Sequence, residues 1–326
     1  MAVTAVAPAR VAVPSRIPLA VLPTPLVAAP RLARALGTGR LFVKRDDLTG
    51  FAAGGNKARP LEFLLAAAVG EGADTLVTGG APASNFCAAA AAAARQAGLA
   101  CHLVIAGDPV PPGPALALAL AWGATVSWTR DADRASVDRA LPVAAADLTA
   151  RGRRPYPIPR GGATAAGAVG YALAAFELAG QLAALGVRRA RVVVAVGSGG
   201  SMAGLVAGNV LLGGDWAVAG ASASRPAREM SRRVLRLAGE CLTLLGGDQA
   251  APGGVDIADV RGPGHGLPSA KGIAAAEQAM RAEGLLLDPV YTAKALPLAA
   301  GQPGPVVFWH TGGLLDAVAA AQEAAR

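Results

Sequence analysis

An α/β fold of parallel sheets with helices on both faces is predicted by three observations. Short apolar, strand-like runs alternate with helix-length segments along most of the chain; two of those runs end in polar glycine-rich turns that open a helix; no repeat or disordered tract interrupts the order. In chain order, Arg40–Arg45 reads as a short buried strand, after which the turn Gly50–Gly55 hands Lys57 to an apolar helical pattern. Thr75–Gly79 is the next strand, the alanine-rich stretch Asn85–Gly98 a helix with Gly98 as its stop, Ala100–Ala106 a strand, Pro114–Gly123 a helix and Ala124–Trp128 a strand. An arginine-rich linker follows at Arg151–Arg154. The pattern resumes with a helix over Gly167–Leu185, a strong strand at Arg191–Val196, a glycine turn into a helix over Ser201–Leu212, and a strand at Trp216–Ala221. Helices over Arg225–Ala238 and Ile273–Glu283 lead to a last strand at Pro305–His310.

The 326 residues suffice for one large domain or two ordinary ones. The 53% hydrophobic content is inflated by alanine, and the longer apolar runs, Ala115–Ala124 and Arg191–Leu212, are short or broken by Gly and Ser. Neither offers the roughly 20 uninterrupted apolar residues of a membrane span, so a soluble protein is expected. Met1–Ile17 has no continuous apolar segment with a cleavage site behind it, which makes the cytoplasm the expected location. Cys87, Cys101 and Cys241 are widely spaced and odd in number, giving neither a disulfide framework nor a metal pattern, and read as small buried apolar residues. His102, His265 and His310 form no His-x-x-x-His pair, so no metal is expected. Net charge is +8, but the arginine clusters (151–154, 188–191, 225–236) lack the aromatic interleaving of a single-strand binder; no nucleic acid is expected, and the excess suits small anionic ligands or solubility.

Lys57 is the first candidate for the reacting group. A partly desolvated lysine amine has a lowered pKa and forms Schiff bases with carbonyl compounds; the alternative is a solvated lysine at a helix start. A nucleotide-binding phosphate loop is excluded, because Asn56 separates Gly55 from Lys57 and Ala58 follows it. Gly197–Gly204 follows an apolar strand and opens a helix, so its N–H groups, with the Ser198 and Ser201 hydroxyls, suit a phosphate, or else the glycines only make a tight turn. Met202 stands where a dinucleotide fingerprint needs glycine, which favours a single phosphate. Ser84 and Asn85 occupy a helix start, as a cap or as a seat for a substrate carboxylate. His310–Gly313 ends the last strand at the edge where such sheets dock ligands, and Asp288–Thr292 adds a phenol and a hydroxyl.

A lysine, a phosphate cradle, a carboxylate seat and several hydroxyls together suggest pyridoxal 5′-phosphate and a small amino acid. The chain resembles the fold-type II pyridoxal-phosphate enzymes, in the branch of D-cysteine desulfhydrase and 1-aminocyclopropane-1-carboxylate deaminase. The resemblance rests on LPTPL (22–26), KRDDLTG (44–50), GGNKARPLEFLL (54–65), GADTLVTGGAPASN (72–85), GSGGSMAG (197–204), EGLLLDPVYTAKA (283–295) and HTGG (310–313), in the family's order from end to end. It implies a fold similar to the tryptophan synthase β-subunit: two open parallel-sheet domains, a large one from residues 1–49 and 154–326 and a small one from 50–153, with the cofactor between them and a homodimer as the assembly. It also implies Lys57 as the cofactor lysine; Gly197, Ser198, Gly199, Gly200 and Ser201 as the phosphate cradle; Asn85 at the ring hydroxyl; Ser84 at the substrate carboxylate or in proton transfer; Tyr291 as an active-site tyrosine; and Thr292 and Thr311 near the pyridine nitrogen. The deaminase branch carries an acidic residue where Thr292 stands, and a hydroxyl cannot keep that nitrogen protonated. An elimination lyase releasing a good leaving group from the β-carbon is therefore expected, ahead of ring opening or of β-replacement, racemisation or cyclisation. Three departures bear on the substrate: Ala83 and Phe86 flank Ser84-Asn85 where polar residues are usual, Arg160 precedes Gly161-Gly162, and His265 replaces a tyrosine between Gly264 and Gly266. His265 is either a general acid or base near neutral pH or a solvent-facing loop residue.

Overall fold

The computed structural model describes residues 11–247 and 254–324. The first ten residues, which belong to the amino-terminal stretch read above for a targeting signal, lie outside them. The elements are β1 (Leu26–Ala28), α1 (Pro30–Ala35), β2 (Leu41–Arg45), α2 (Ala58–Gly70), β3 (Thr75–Gly80), α3 (Asn85–Gln96), β4 (Ala100–Ile105), α4 (Pro114–Ala121), β5 (Thr125–Trp128), α5 (Ala135–Ala150) and β6 (Pro155–Pro157). They continue with α6 (Ala165–Ala184), β7 (Arg191–Val196), α7 (Gly200–Leu211), β8 (Ala217–Ser222), α8 (Ala227–Leu244), β9 (Asp256–Asp259), α9 (Ala270–Glu283), α10 (Thr292–Ala295), β10 (Val306–His310) and α11 (Leu314–Ala324).

The strands form two sheets, as the alternation predicts. One has six strands in the order β1-β2-β10-β7-β8-β9, parallel except for the antiparallel edge strand β1. The other has four parallel strands in the order β5-β4-β3-β6. Its edge strand β6 lies just past the arginine-rich linker, so the chain leaves this sheet after Pro157 and not at Arg153. Valine-rich β7 and β10 sit mid-sheet with helices on both faces, which is why they are continuous apolar runs rather than alternating ones.

Four packed cores hold these layers together, the smallest joining Val77 and Val104 of the four-stranded sheet to Val137 and Leu141 of α5. The largest joins α6, α7 and α8 to β7, with Tyr171 and Trp309 at its centre. Here α7 approaches α6 so closely that a Cβ on Gly204 would lie 2.1 Å from the Ala168 carbonyl oxygen. The second core, under α2 and α3, contains Leu61, Leu64, Leu65 and Phe86; the third lies between the six-stranded sheet and α1 and α9. Alanine makes α3 narrow enough to be buried almost all round while keeping the highest helix propensity, and the Ser84 hydroxyl accepts from the Cys87 N–H to cap it. Among the described residues, no helix is long and apolar enough to cross a membrane.

Candidate active site

Parallel sheets place ligands at the carboxyl ends of their strands, and here the turns after β2, β3, β7 and β10 converge on one cleft of about 980 Å³. Lys57, Ser84, Asn85, Gly197, Ser198, His265, Tyr291 and Thr311 all line it. The structure thus brings residues from one end of the sequence to the other onto a single surface.

Lys57 is held from both sides. It caps the start of α2, and the preceding turn is fixed by the Gly55 N–H donating to the Asp46 carbonyl (3.1 Å), the Thr49 hydroxyl donating to the Gly55 carbonyl (3.0 Å) and the Asn56 N–H donating to the Thr311 carbonyl (2.9 Å). The half-buried amine is lowered to about 8 by desolvation, against the pull of the Asp288 carboxylate. Asp288 itself accepts the N–H groups of Val290, Tyr291 and Thr292 and the Thr292 hydroxyl (2.5 Å), yet burial still raises its pKa. Thr292 is fully buried behind Asp288 and outside the cleft lining, with its hydroxyl proton committed to that carboxylate.

The turn after β10 has no space to spare. Gly312 has φ of 97°, and a Cβ there would lie 2.5 Å from the Gly55 Cα. Gly312→Ala is therefore expected to destabilise the fold by about 1–3 kcal/mol and to displace the Lys57 turn. Gly301→Ala is the control, since Gly301 has a similar positive φ but open space. Denaturation midpoints of the two variants check this: equal losses would show that backbone strain, not the contact with Gly55, is at work.

On the other side of the cleft, the cap bond occupies the oxygen of Ser84 as an acceptor and leaves its proton available. Capping and carboxylate binding are thus compatible. The Asn85 side-chain amide donates to Asp316 (2.8 Å), a carboxyl that burial raises. Phe86 turns into the second core against Gly162, and Cys87 is buried with its thiol pushed up to about 11 by desolvation.

At the 197–201 loop, Gly199 takes φ of 97° and α7 begins with no side-chain cap, leaving its first N–H groups for a ligand. Gly197 and Ser198 line the cleft, whereas Gly199, Gly200 and Ser201 stand behind it, Ser201 accepting from Asn56 (3.1 Å). The Arg233 guanidinium donates to the Ser198 carbonyl (2.7 Å). His265 Nε2 is 3.2 Å from the Tyr291 hydroxyl, so the loop histidine is part of the site rather than solvent-facing. Burial, with Arg134 next in weight, pushes His265 down to about 4, and burial pushes Tyr291 up to about 12. Both are neutral at pH 7, and one proton is shared between them. Asp288, Asp316, Arg134 and Arg233 were not among the residues the sequence singled out as candidates.

The residues present fit a phosphorylated aldehyde: an amine of lowered pKa faces a cleft whose far side carries an uncapped helix start and a loop whose glycine needs the left-handed region. Residues 17–312 match the family profile described as pyridoxal-phosphate dependent enzyme. The chain belongs to that family. Pyridoxal phosphate is accordingly its cofactor. This pyridoxal-phosphate enzyme is 40% identical over 316 residues to a D-cysteine desulfhydrase of Salmonella choleraesuis (strain SC-B67), covering 91% of this chain and 94% of the relative. It superposes on the crystal structure of an ACC deaminase homologue with a TM-score of 0.88 at 33% identity, covering 95% of each chain. Maize serine racemase matches with a TM-score of 0.65 at 16% identity over 93% of this chain and 91% of that one, which speaks for the fold alone. Among the described residues no group of His, Cys, Asp and Glu is arranged to hold a metal.

Proposed function

We propose that this enzyme is a lyase that removes the β-substituent of a small amino acid, with D-cysteine as the reference substrate, by α,β-elimination. One substrate and one water give a 2-oxo acid, ammonia and the protonated leaving group. The observation that carries this reading is the placement of the Lys57 amine, held at about 8, in one cleft with Ser84 and the neutral His265–Tyr291 pair.

When bound, pyridoxal phosphate supplies a carbonyl for amines to condense with and a π system that stabilises negative charge at Cα. In this reading, the first N–H groups of α7 and the Gly197–Ser201 loop bind its phosphate, Asn85 and Thr311 border its ring, and Thr292 acts through Asp288. The Ser84 hydroxyl and the start of α3 bind the substrate carboxylate. Lys57 Nζ, partly neutral near its pKa, accepts the Cα proton. Tyr291 and His265 deliver a proton to the departing group, a relay that needs His265 neutral, as its pKa of about 4 makes it. Action as a homodimer in the cytoplasm belongs to the same reading and rests on the sequence resemblance.

The test is a product assay on the purified holoenzyme with both enantiomers of cysteine and β-chloroalanine. D-Cysteine is expected to yield pyruvate and sulfide in equal amounts. A protein whose Lys57 is pyridoxylated after borohydride treatment, yet which releases no 2-oxo acid from any β-substituted amino acid, would overturn the lyase reading.

A further inference from the structure

The loop that carries His265 has few anchors of its own. Residues 261–267 make two successive turns, closed by the Gly264 N–H donating to the Arg261 carbonyl (3.3 Å) and the Leu267 N–H donating to the Gly264 carbonyl (3.4 Å), both long bonds. His265 and Gly266 are the central residues of the second turn, with Gly266 at φ of 82°. Gly262, Pro263, Gly266, Leu267 and Pro268 are exposed, so little apolar packing fixes the path of the chain. Among the described hydrogen bonds, two reach residues 262–268 from other elements: the Tyr291 hydroxyl meets His265 at 3.2 Å, and the Lys294 ammonium donates to the Gly264 carbonyl at 3.3 Å.

Lys294 stands on α10, three residues beyond Tyr291, and is only 2% exposed. Its ammonium also donates to the Arg261 carbonyl (2.7 Å), so it bonds the same two oxygens that close the two turns. Among the described ion pairs it has no carboxylate partner; its bonds go to these carbonyls. Burying an ammonium is costly where an apolar chain of the same length would fill the space, and charge-assisted bonds to the loop offset that cost. The other end of the same short segment is fixed by Asp288, which accepts the N–H groups of Val290, Tyr291 and Thr292. Asp288 thus anchors the backbone that carries the phenol, and Lys294 anchors the loop that carries the imidazole, both onto α10.

Building on the elimination reading, we propose that Lys294 is a positioning residue, whose ammonium pins the 261–267 turns to α10 and thereby sets the His265–Tyr291 contact that protonates the departing group. Lys294 does not line the cleft, so it acts through the pair and not on the substrate. Its effect therefore depends on the leaving group. When a C–S bond breaks, its electron pair stays on sulfur, which takes up the proton the pair holds; chloride leaves as the free anion and needs none. Loss of the tether should fall on the first kind of substrate and spare the second.

The experiment measures pyruvate release from cysteine and from β-chloroalanine, each as both enantiomers, by the wild-type, Lys294→Met and Lys294→Arg holoenzymes. Lys294→Met, neutral and of similar length, is expected to lower the ratio of kcat for cysteine to kcat for β-chloroalanine by about tenfold or more, with the KM values little moved. Lys294→Arg keeps the charge and the donors and is expected to recover most of that ratio. Side-chain NMR gives a readout independent of turnover, since the chain has three histidines. The His265 ring, which burial holds at about 4 with Arg134, Lys294, Arg160 and Arg225 acting in the same direction, should titrate about one pH unit higher or more in Lys294→Met, as the loop opens to water, and near the wild-type value in Lys294→Arg, which retains the charge. Should Lys294→Met not fold, Lys294→Gln takes its place in both measurements. If the wild type releases pyruvate from cysteine and the neutral variant keeps the ratio within about twofold, the positioning inference falls and the elimination reading stands. If the wild type releases no pyruvate from either amino acid, the elimination reading falls and the role of Lys294 in it falls as well.

Discussion

Replacing Lys57 with alanine is expected to lower 2-oxo acid release by a factor of about 10³ or more and to abolish borohydride labelling of the 57–65 peptide, while the fold is retained. The chain offers no substitute amine at that place. Lys44 is fully buried in an ion network on the other side of α2, and Lys294 donates to the Arg261 carbonyl (2.7 Å). The same substitution has a predictable effect on stability. In the folded cofactor-free chain Lys57 is held at about 8, below its ordinary 10.5, so the folded state binds fewer protons than the unfolded one between those values. Stability of the wild-type apoprotein therefore rises as pH increases from about 8 to 10.5, and below that range the charged amine is a standing penalty. Lys57→Ala removes the penalty, so the inactive variant should be at least as stable as the apoprotein at pH 7, with the alkaline gain missing from its stability curve. Residual turnover within tenfold of wild type, or a pyridoxyl tag on another lysine, would remove Lys57 from the centre of the site.

What the sequence revealed of the fold follows burial. The valine runs of β7 and β10 and the alanine helix α3 announce themselves because buried parallel strands and buried helices are apolar throughout. The strands missed lie at sheet edges. β1 has three residues, β6 is Pro155-Tyr156-Pro157 at a sheet edge where missing N–H groups do no harm, and β9 begins and ends in aspartate. Helix α5 hides its period behind Pro142 and scattered charges, and α8 runs on through Gly239 to Leu244, past the Ala238 expected as its last residue, because a glycine with open space around it costs a helix only about 1 kcal/mol.

The site was legible where backbone geometry forces the residue type. Gly199 and the glycines around Lys57 stand at positive φ, so a glycine-rich turn in sequence marks them directly. Asp288 and Arg134 carry no such local signature. Their importance arises from convergence: Asp288 comes to Lys57 from more than 200 residues away, and Arg134 and His265 come to line the same cleft from distant parts of the chain. Ser201 and Thr292 show the reverse case. Both lie in segments that resemble cofactor contacts, but their hydroxyls are engaged with Asn56 and Asp288.

Asp46→Asn is expected to cost about 3–5 kcal/mol of folding stability, because it breaks a buried ion network and leaves Arg59 half-compensated. Asp46 and Lys44 are fully buried and Arg59 is 1% exposed. The Arg59 fork donates to both oxygens of Asp46 (2.9 and 2.8 Å) and both of Glu177 (3.0 and 3.1 Å); Tyr171 donates to Asp46 (2.6 Å), and Lys44 pairs with Glu177. Two cations and two anions cancel, and nearly every polar atom has a partner. Burial alone would raise the Asp46 carboxyl, but Arg59 outweighs it and holds the group at about 2. The folded value is depressed, so its stabilising contribution is complete above the unfolded carboxyl range and is lost as pH falls from about 4 through 2. Acid unfolding of the wild type should steepen in that window, and the asparagine variant should lack that part of the transition. The network also reaches the chemistry: the Asp46 carbonyl accepts the Gly55 N–H in the Lys57 turn, and Arg59 lies two residues beyond Lys57 on α2. Loosening it should broaden the titration of the amine as well as lower the denaturation midpoint. A midpoint shifted by less than about 1 kcal/mol would mean that water or repacking replaces the lost carboxylate, and that these charges do not hold the lysine in place.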